Sequence, residues 1–76
     1  VHESNIIRAE GVVIAVLKER LYRVELANGH QFLAFVTARR AAAGDRYEVG
    51  QRVVAELSPL DLSKGRLVGR LDASPR

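Results

Sequence analysis

The chain has 76 residues, 47% of them hydrophobic, with twelve Lys and Arg against nine Asp and Glu for a formal charge of +3. A chain of this length buries only about 60% of the surface it exposes when extended, enough for one small core and too little for two. With no cysteine, disulfides, thiolate metal sites and cysteine nucleophiles are excluded, and a reducing, cytoplasmic setting is expected. The longest apolar run, Gly11 to Leu17, falls far short of the roughly 20 residues of a membrane-spanning helix, so no membrane role is expected. Residues 1–5 carry a carboxylate where a signal peptide would be basic and then apolar, and they read as a flexible segment. One domain is expected over residues 6–71, followed by a flexible tail at 72–76.

In chain order, Ile6 to Leu17 is long enough for a bent strand, with Gly11 as the expected bulge or kink, and Lys18-Glu19-Arg20 as the turn that follows. From Leu21 the pattern alternates, placing Tyr22, Val24 and Leu26 on one face and Arg23 and Glu25 on the other. Asn28-Gly29 predicts a tight two-residue hairpin turn with positive φ angles. On the returning strand Phe32, Ala34 and Val36 face the core, and Gln31, Leu33 and Phe35 face away. Thr37 to Gly44 reads as a short helix with Thr37 as its cap and Gly44 as a left-handed stop. Gln51 to Leu57 alternates again, with Val53, Ala55 and Leu57 inward, until Ser58-Pro59 ends it. Asp61 to Gly65 reads as a turn into a last strand, Arg66 to Leu71, with Leu67, Gly69 and Leu71 on one face and Arg66, Val68 and Arg70 on the other. Five strands with a helix after the third match an all-β, five-stranded Greek-key barrel of the OB-fold type, with a small SH3-like barrel as the rival.

Catalytic chemistry finds little to build on. The histidines are His2 and His30, the serines Ser4, Ser58, Ser63 and Ser74 sit in no nucleophile motif, and no phosphate-cradling glycine loop occurs. Neither an enzyme, a metal site nor a cofactor is expected. Basic residues say more: Arg23, Arg66 and Arg70 are assigned to outward faces, and a guanidinium offers paired donors to phosphate. Arg39, Arg40 and Arg46 add charge around the helix, diluted by Asp45 and Glu48. Phe35 is an outward aromatic that either stacks on an unpaired base or packs against the barrel end. His30, beside the hairpin turn, can bond a phosphate or a base, while Tyr22 and Tyr47 are assigned to core and loop packing.

Two segments carry a family resemblance: Tyr22-Arg23-Val24-Glu25-Leu26-Ala27-Asn28-Gly29-His30, and Leu57-Ser58-Pro59-Leu60-Asp61-Leu62-Ser63-Lys64-Gly65-Arg66. With Gly11 and Gly50 in matching places, the stretch from Ile6 to Arg70 closely resembles bacterial translation initiation factor one. The resemblance implies a single OB-fold domain that binds ribosomal RNA at the A site and decoding region of the small subunit, beside other initiation factors. It implies RNA contacts for Arg23, His30, Lys64, Arg66 and Arg70, with Arg39 and Arg46 at usually basic positions. The chain departs from the family in the nearly neutral connector Arg40-Ala41-Ala42-Ala43-Gly44-Asp45, in Phe35 for a usual histidine, and in Gly69 for a usual aromatic. Two other readings stand beside this one. The first is a general single-strand RNA or DNA binder, or RNA chaperone, of the cold-shock type. The second is a protein-interaction module built on an outward patch of Leu33, Phe35 and Val54, although a monomer is expected.

Overall fold

The computed structural model describes residues 6–71, so the expectations for 1–5 and 72–76 fall outside the described residues. Its elements are β1 (Ile7–Lys18), β2 (Leu21–Leu26), β3 (Gln31–Phe35), α1 (Ala38–Ala42), β4 (Arg52–Ser58) and β5 (Asp61–Arg70). The strands close a barrel in the order β1-β2-β3-β5-β4. All neighbours are antiparallel except β3 and β5, which run parallel. This is the five-stranded architecture expected, with the helix where expected. Among the described residues no helix is long and apolar enough to cross a membrane.

Alternation located most of the core. Tyr22, Val24, Phe32, Ala34, Val36, Val53, Ala55, Leu57 and Leu67 are all buried, joined by Val13 and Tyr47. Tyr47 thus does more than pack a loop. Its ring meets that of Tyr22 edge-on at 5.5 Å between centroids, and its backbone N–H donates to the Tyr22 hydroxyl.

Four local expectations need correction. First, Gly11 is not a bulge. It pairs with Leu26 of β2 and Val53 of β4 at once, and the irregularities of β1 lie further on, between Val13 and Ala15 and between Val16 and Lys18. A Cβ at Gly11 would sit 2.7 Å from Val24 Cγ1 and 2.8 Å from the Glu25 carbonyl oxygen, so glycine is required by the close approach of β2. Second, the turn after β2 is longer than two residues. Gly29 N–H donates to the Leu26 carbonyl, Leu26 N–H donates to the His30 carbonyl, and only Gly29 has positive φ, at 89°. That is the pattern of a three-residue loop ending in a left-handed glycine, not of a two-residue turn with two positive φ angles.

Third, β5 begins at Asp61 rather than Arg66. The Asp61 carboxylate accepts bonds from the Ser63 N–H and hydroxyl, so the expected turn survives as a tight bend inside the strand. Fourth, Val68 is an extra residue in β5, because Leu67 pairs with Ala55 while Gly69 pairs with Val54. One inserted residue reverses the alternation beyond it. Gly69 therefore partners the outward-facing Val54, with open space where a Cβ would point, and Arg70 partners the buried Val53. Arg66 and Arg70 do not share a face.

Helix α1 forms as its caps dictate. The Thr37 hydroxyl accepts from Arg40 N–H, and at the other end Gly44 N–H reaches the Ala41 carbonyl while Asp45 N–H reaches that of Arg40. This double C-terminal bond needs the left-handed Gly44, whose φ is 99°. None of the helix is fully buried, and Ala41 is the side chain that packs it against the core.

Candidate nucleic-acid interface

Directly paired residues on neighbouring strands share a face and lie about 5 Å apart, so the register maps the outer surface. One outward row reads Ala15, Arg23, Leu33, Lys64 across β1, β2, β3 and β5. The next reads Lys18, Leu21, Phe35, Arg66, Glu56 and Arg8. It circles the barrel and returns to β1 at Arg8 after leaving at Lys18, the stagger that tilts the strands of a small closed barrel.

Side by side, the two rows put Arg23, Lys64 and Arg66 around Leu33 and Phe35. Phe35 is 45% exposed, with Leu21 and Arg66 as its register neighbours. It lines one shallow depression with Lys64 and Arg66 and another with Lys18 and Arg20. An exposed ring edged by cations suits an unstacked base between its phosphates. Gly65 is what lets this surface form: a Cβ there would meet Phe32 Cε2 at 2.9 Å and the Glu56 carbonyl oxygen at 3.0 Å. The buried Phe32 ring thus lies under Gly65, and alternation about that inward position turns Lys64 and Arg66 outward.

The remaining expected site residues divide into three places. His30 Nε2 bonds the Leu62 carbonyl at 2.7 Å, and its ring stacks near-parallel on Phe32 at 6.1 Å between centroids. It therefore ties the β2–β3 loop to the start of β5, leaving its other ring nitrogen for any outside partner. Arg39 projects from α1 into a groove shared with Arg66. Arg46 and Arg70 form a separate pair: the Arg70 guanidinium donates to the Arg46 carbonyl at 2.9 Å and lies 5.7 Å from the centre of the Tyr47 ring. Burial, and then the nearby Asp45 charge, push the Tyr47 hydroxyl above its ordinary value, so it stays neutral beside Arg70.

Alternation on single strands passed over two residues that matter to the electrostatics, Arg8 and Glu56. The Glu56 carboxylate accepts from Arg66 Nη2 at 2.7 Å through one oxygen and from Arg8 Nη2 at 2.9 Å through the other. Those two bonds, that of Arg66 first, hold its carboxyl below the ordinary range. Only the register from β5 through β4 to β1 brings the three together. Val54, counted in a possible apolar patch, lies between Glu10 and Gly69 in register and is not contiguous with Leu33 and Phe35. Among the described residues no cluster of His, Asp or Glu is placed to hold a metal ion.

No family model matches the sequence. Among solved structures, the chain is similar to translation initiation factor one from the Wolbachia endosymbiont strain TRS of Brugia malayi, at 32% identity and a TM-score of 0.72, over 91% of this chain and 82% of that one. It also resembles part of YjeQ from Thermotoga maritima, at 21% identity and a TM-score of 0.67, over 87% of this chain and 23% of that chain, which is a likeness of fold alone. With about a third of its residues shared over most of both chains and the same barrel, the chain belongs to the translation initiation factor one family.

Proposed function

We propose that the chain binds ribosomal RNA at the A site and decoding region of the small ribosomal subunit, as a monomer beside other initiation factors. It acts by occupying the site, with neither catalysis nor a cofactor. The observation that carries this reading is the contiguous outward surface of Arg23, Leu33, Lys64, Phe35 and Arg66 on a member of a translation initiation factor family. Arginine and lysine there meet phosphates, Phe35 and Leu33 meet bases, and Arg39, Arg46, Arg70 and His30 extend the contacts to the flanks.

Binding of labelled protein to purified small subunits, at moderate and high salt, tests the proposal. Saturable binding that weakens with salt, and weakens again in Arg23→Ala and Arg66→Ala, is the expected result. Absence of saturable binding at moderate salt contradicts it. The exposure of Phe35 favours one alternative, a general single-strand binder, which would show comparable affinity for unrelated RNA strands and for subunits.

A further inference from the structure

We propose that the groove between α1 and the outer face of β1, β4 and β5 holds a backbone phosphate of bound RNA, with Arg8 as a direct contact and Glu56 as the counter-ion that the phosphate displaces. The inference rests on the reading of the chain as an RNA binder and adds a second place of contact beside the Arg23, Lys64 and Phe35 surface.

The groove is walled by Arg39 and Arg40 on the helix side and by Arg8 and Arg66 on the strand side. Its two acids are already engaged, Asp45 with Arg40 at 2.9 Å and Glu56 with both Arg8 and Arg66. Among the described residues Arg39 enters no ion pair. Four cations over two anions leave the walls positive.

The geometry of the Glu56 bridge decides what can enter. Each of its oxygens serves a different arginine through a single Nη2, so neither guanidinium has the two-toothed partner it can accommodate. The remaining N–H groups on Arg8 and Arg66 are donors for a group with more oxygens than a carboxylate. Side-chain exposures are 69% for Arg8 and 49% for Arg66 against 16% for Glu56, so the acid lies on the floor and the cations stand above it. A phosphodiester arriving from outside meets the guanidinium groups before it meets the carboxylate. Exposed ion pairs contribute little to folding, so exchanging Glu56 for a phosphate costs the fold little. An RNA strand is the occupant of choice because Arg66 belongs both to this groove and to the row containing Phe35, so one backbone can run from one to the other.

The test compares the wild type with Arg8→Ala, Glu56→Gln and two controls in binding to purified small ribosomal subunits over a salt series. The controls, Arg52→Ala and Glu10→Gln, make the same charge changes at a pair four residues away along β4, about 13 Å distant. Arg8→Ala should weaken binding about two- to fivefold. It should also lower the slope of log affinity against log salt by about 0.7 to 0.9, the mark of one lost phosphate contact. Glu56→Gln should tighten binding about two- to fivefold, since Arg8 and Arg66 are freed and a repulsive charge is gone. Both controls should bind as the wild type does. If Arg8→Ala and Glu56→Gln match their controls while Arg23→Ala loses affinity, the groove is no phosphate site and RNA binding itself stands. If the wild type shows no saturable binding, the RNA-binding reading falls and this inference with it.

Discussion

Gly65 and Glu56 are neighbours across β4 and β5, and each carries a measurable consequence at the scale of one residue. A methyl group at position 65 would press on the Phe32 ring edge and on the backbone of Glu56, and the backbone cannot move aside cheaply. Gly65→Ala should therefore cost about 1 to 3 kcal/mol, the usual range for overpacking. Against roughly 4 to 11 kcal/mol in total for a chain of this size, that is a large share, visible as a lower denaturant midpoint. Gly69→Ala should change stability by less than about 0.5 kcal/mol, because nothing lies within 4 Å of its added carbon and its φ is not positive. For Glu56 the folded carboxyl is held below its ordinary value of 4.5 by Arg66 and Arg8. Stability from this group is fully present above that value and is lost as pH falls through the lower, folded one. Asp61, lowered by its bonds from Ser63, acts in the same direction. Acid titration of the unfolding midpoint should show a shallower loss below pH ~4.5 in Glu56→Gln than in the wild type. An unchanged acid limb would mean the bridge is not populated in solution.

Between elements, the join that matters most is the one from β2 to the segment between α1 and β4. The Tyr22 hydroxyl accepts from Tyr47 N–H inside the barrel end, while Val13 and Gly50 bond backbone to backbone on the other side. Tyr22→Phe keeps the ring and removes the acceptor, leaving a buried N–H without a partner. It should cost about 1 to 3 kcal/mol and speed amide exchange at Tyr47. Period-two alternation made the inward faces of β2, β3 and β4 readable, because Tyr22, Phe32 and Val53 each stand in an unbroken run. It failed wherever the ladder carries an extra residue. The insertion at Val68 turned Arg70 away from Arg66 and toward Tyr47, and the irregularities in β1 came after Gly11, not at it. Alternation also says nothing of which strands lie side by side, and the meeting of Arg8, Glu56 and Arg66 depends on the pairing of β4 with both β1 and β5. The resemblance marked Arg23, His30, Lys64, Arg66 and Arg70, of which Arg23, Lys64 and Arg66 fall on one surface, His30 ties the β2–β3 loop to the start of β5, and Arg70 stands apart beside Tyr47.

The described residues form a barrel whose interior is filled with side chains and whose outer surface carries open, shallow grooves. A net charge of +3 is small for the RNA binding proposed above, which therefore rests on where the cations stand. The structure sorts them: Arg23, Lys64 and Arg66 around Phe35, Arg39 across the groove from Arg66, and Arg46 with Arg70 at the Tyr47 end. Glu10 and Arg52, by contrast, pair loosely at 4.0 Å on another part of the barrel. The alanines of α1 bring neither charge nor aromatic surface, so what the helix offers a nucleic acid is Arg39 and Arg40. Chemical footprinting of the small ribosomal subunit, with and without the protein at moderate salt, tests the central claim most directly. The account predicts saturable protection of the decoding region, reduced in Arg66→Ala. A subunit whose decoding region stays fully reactive at saturating protein would contradict it.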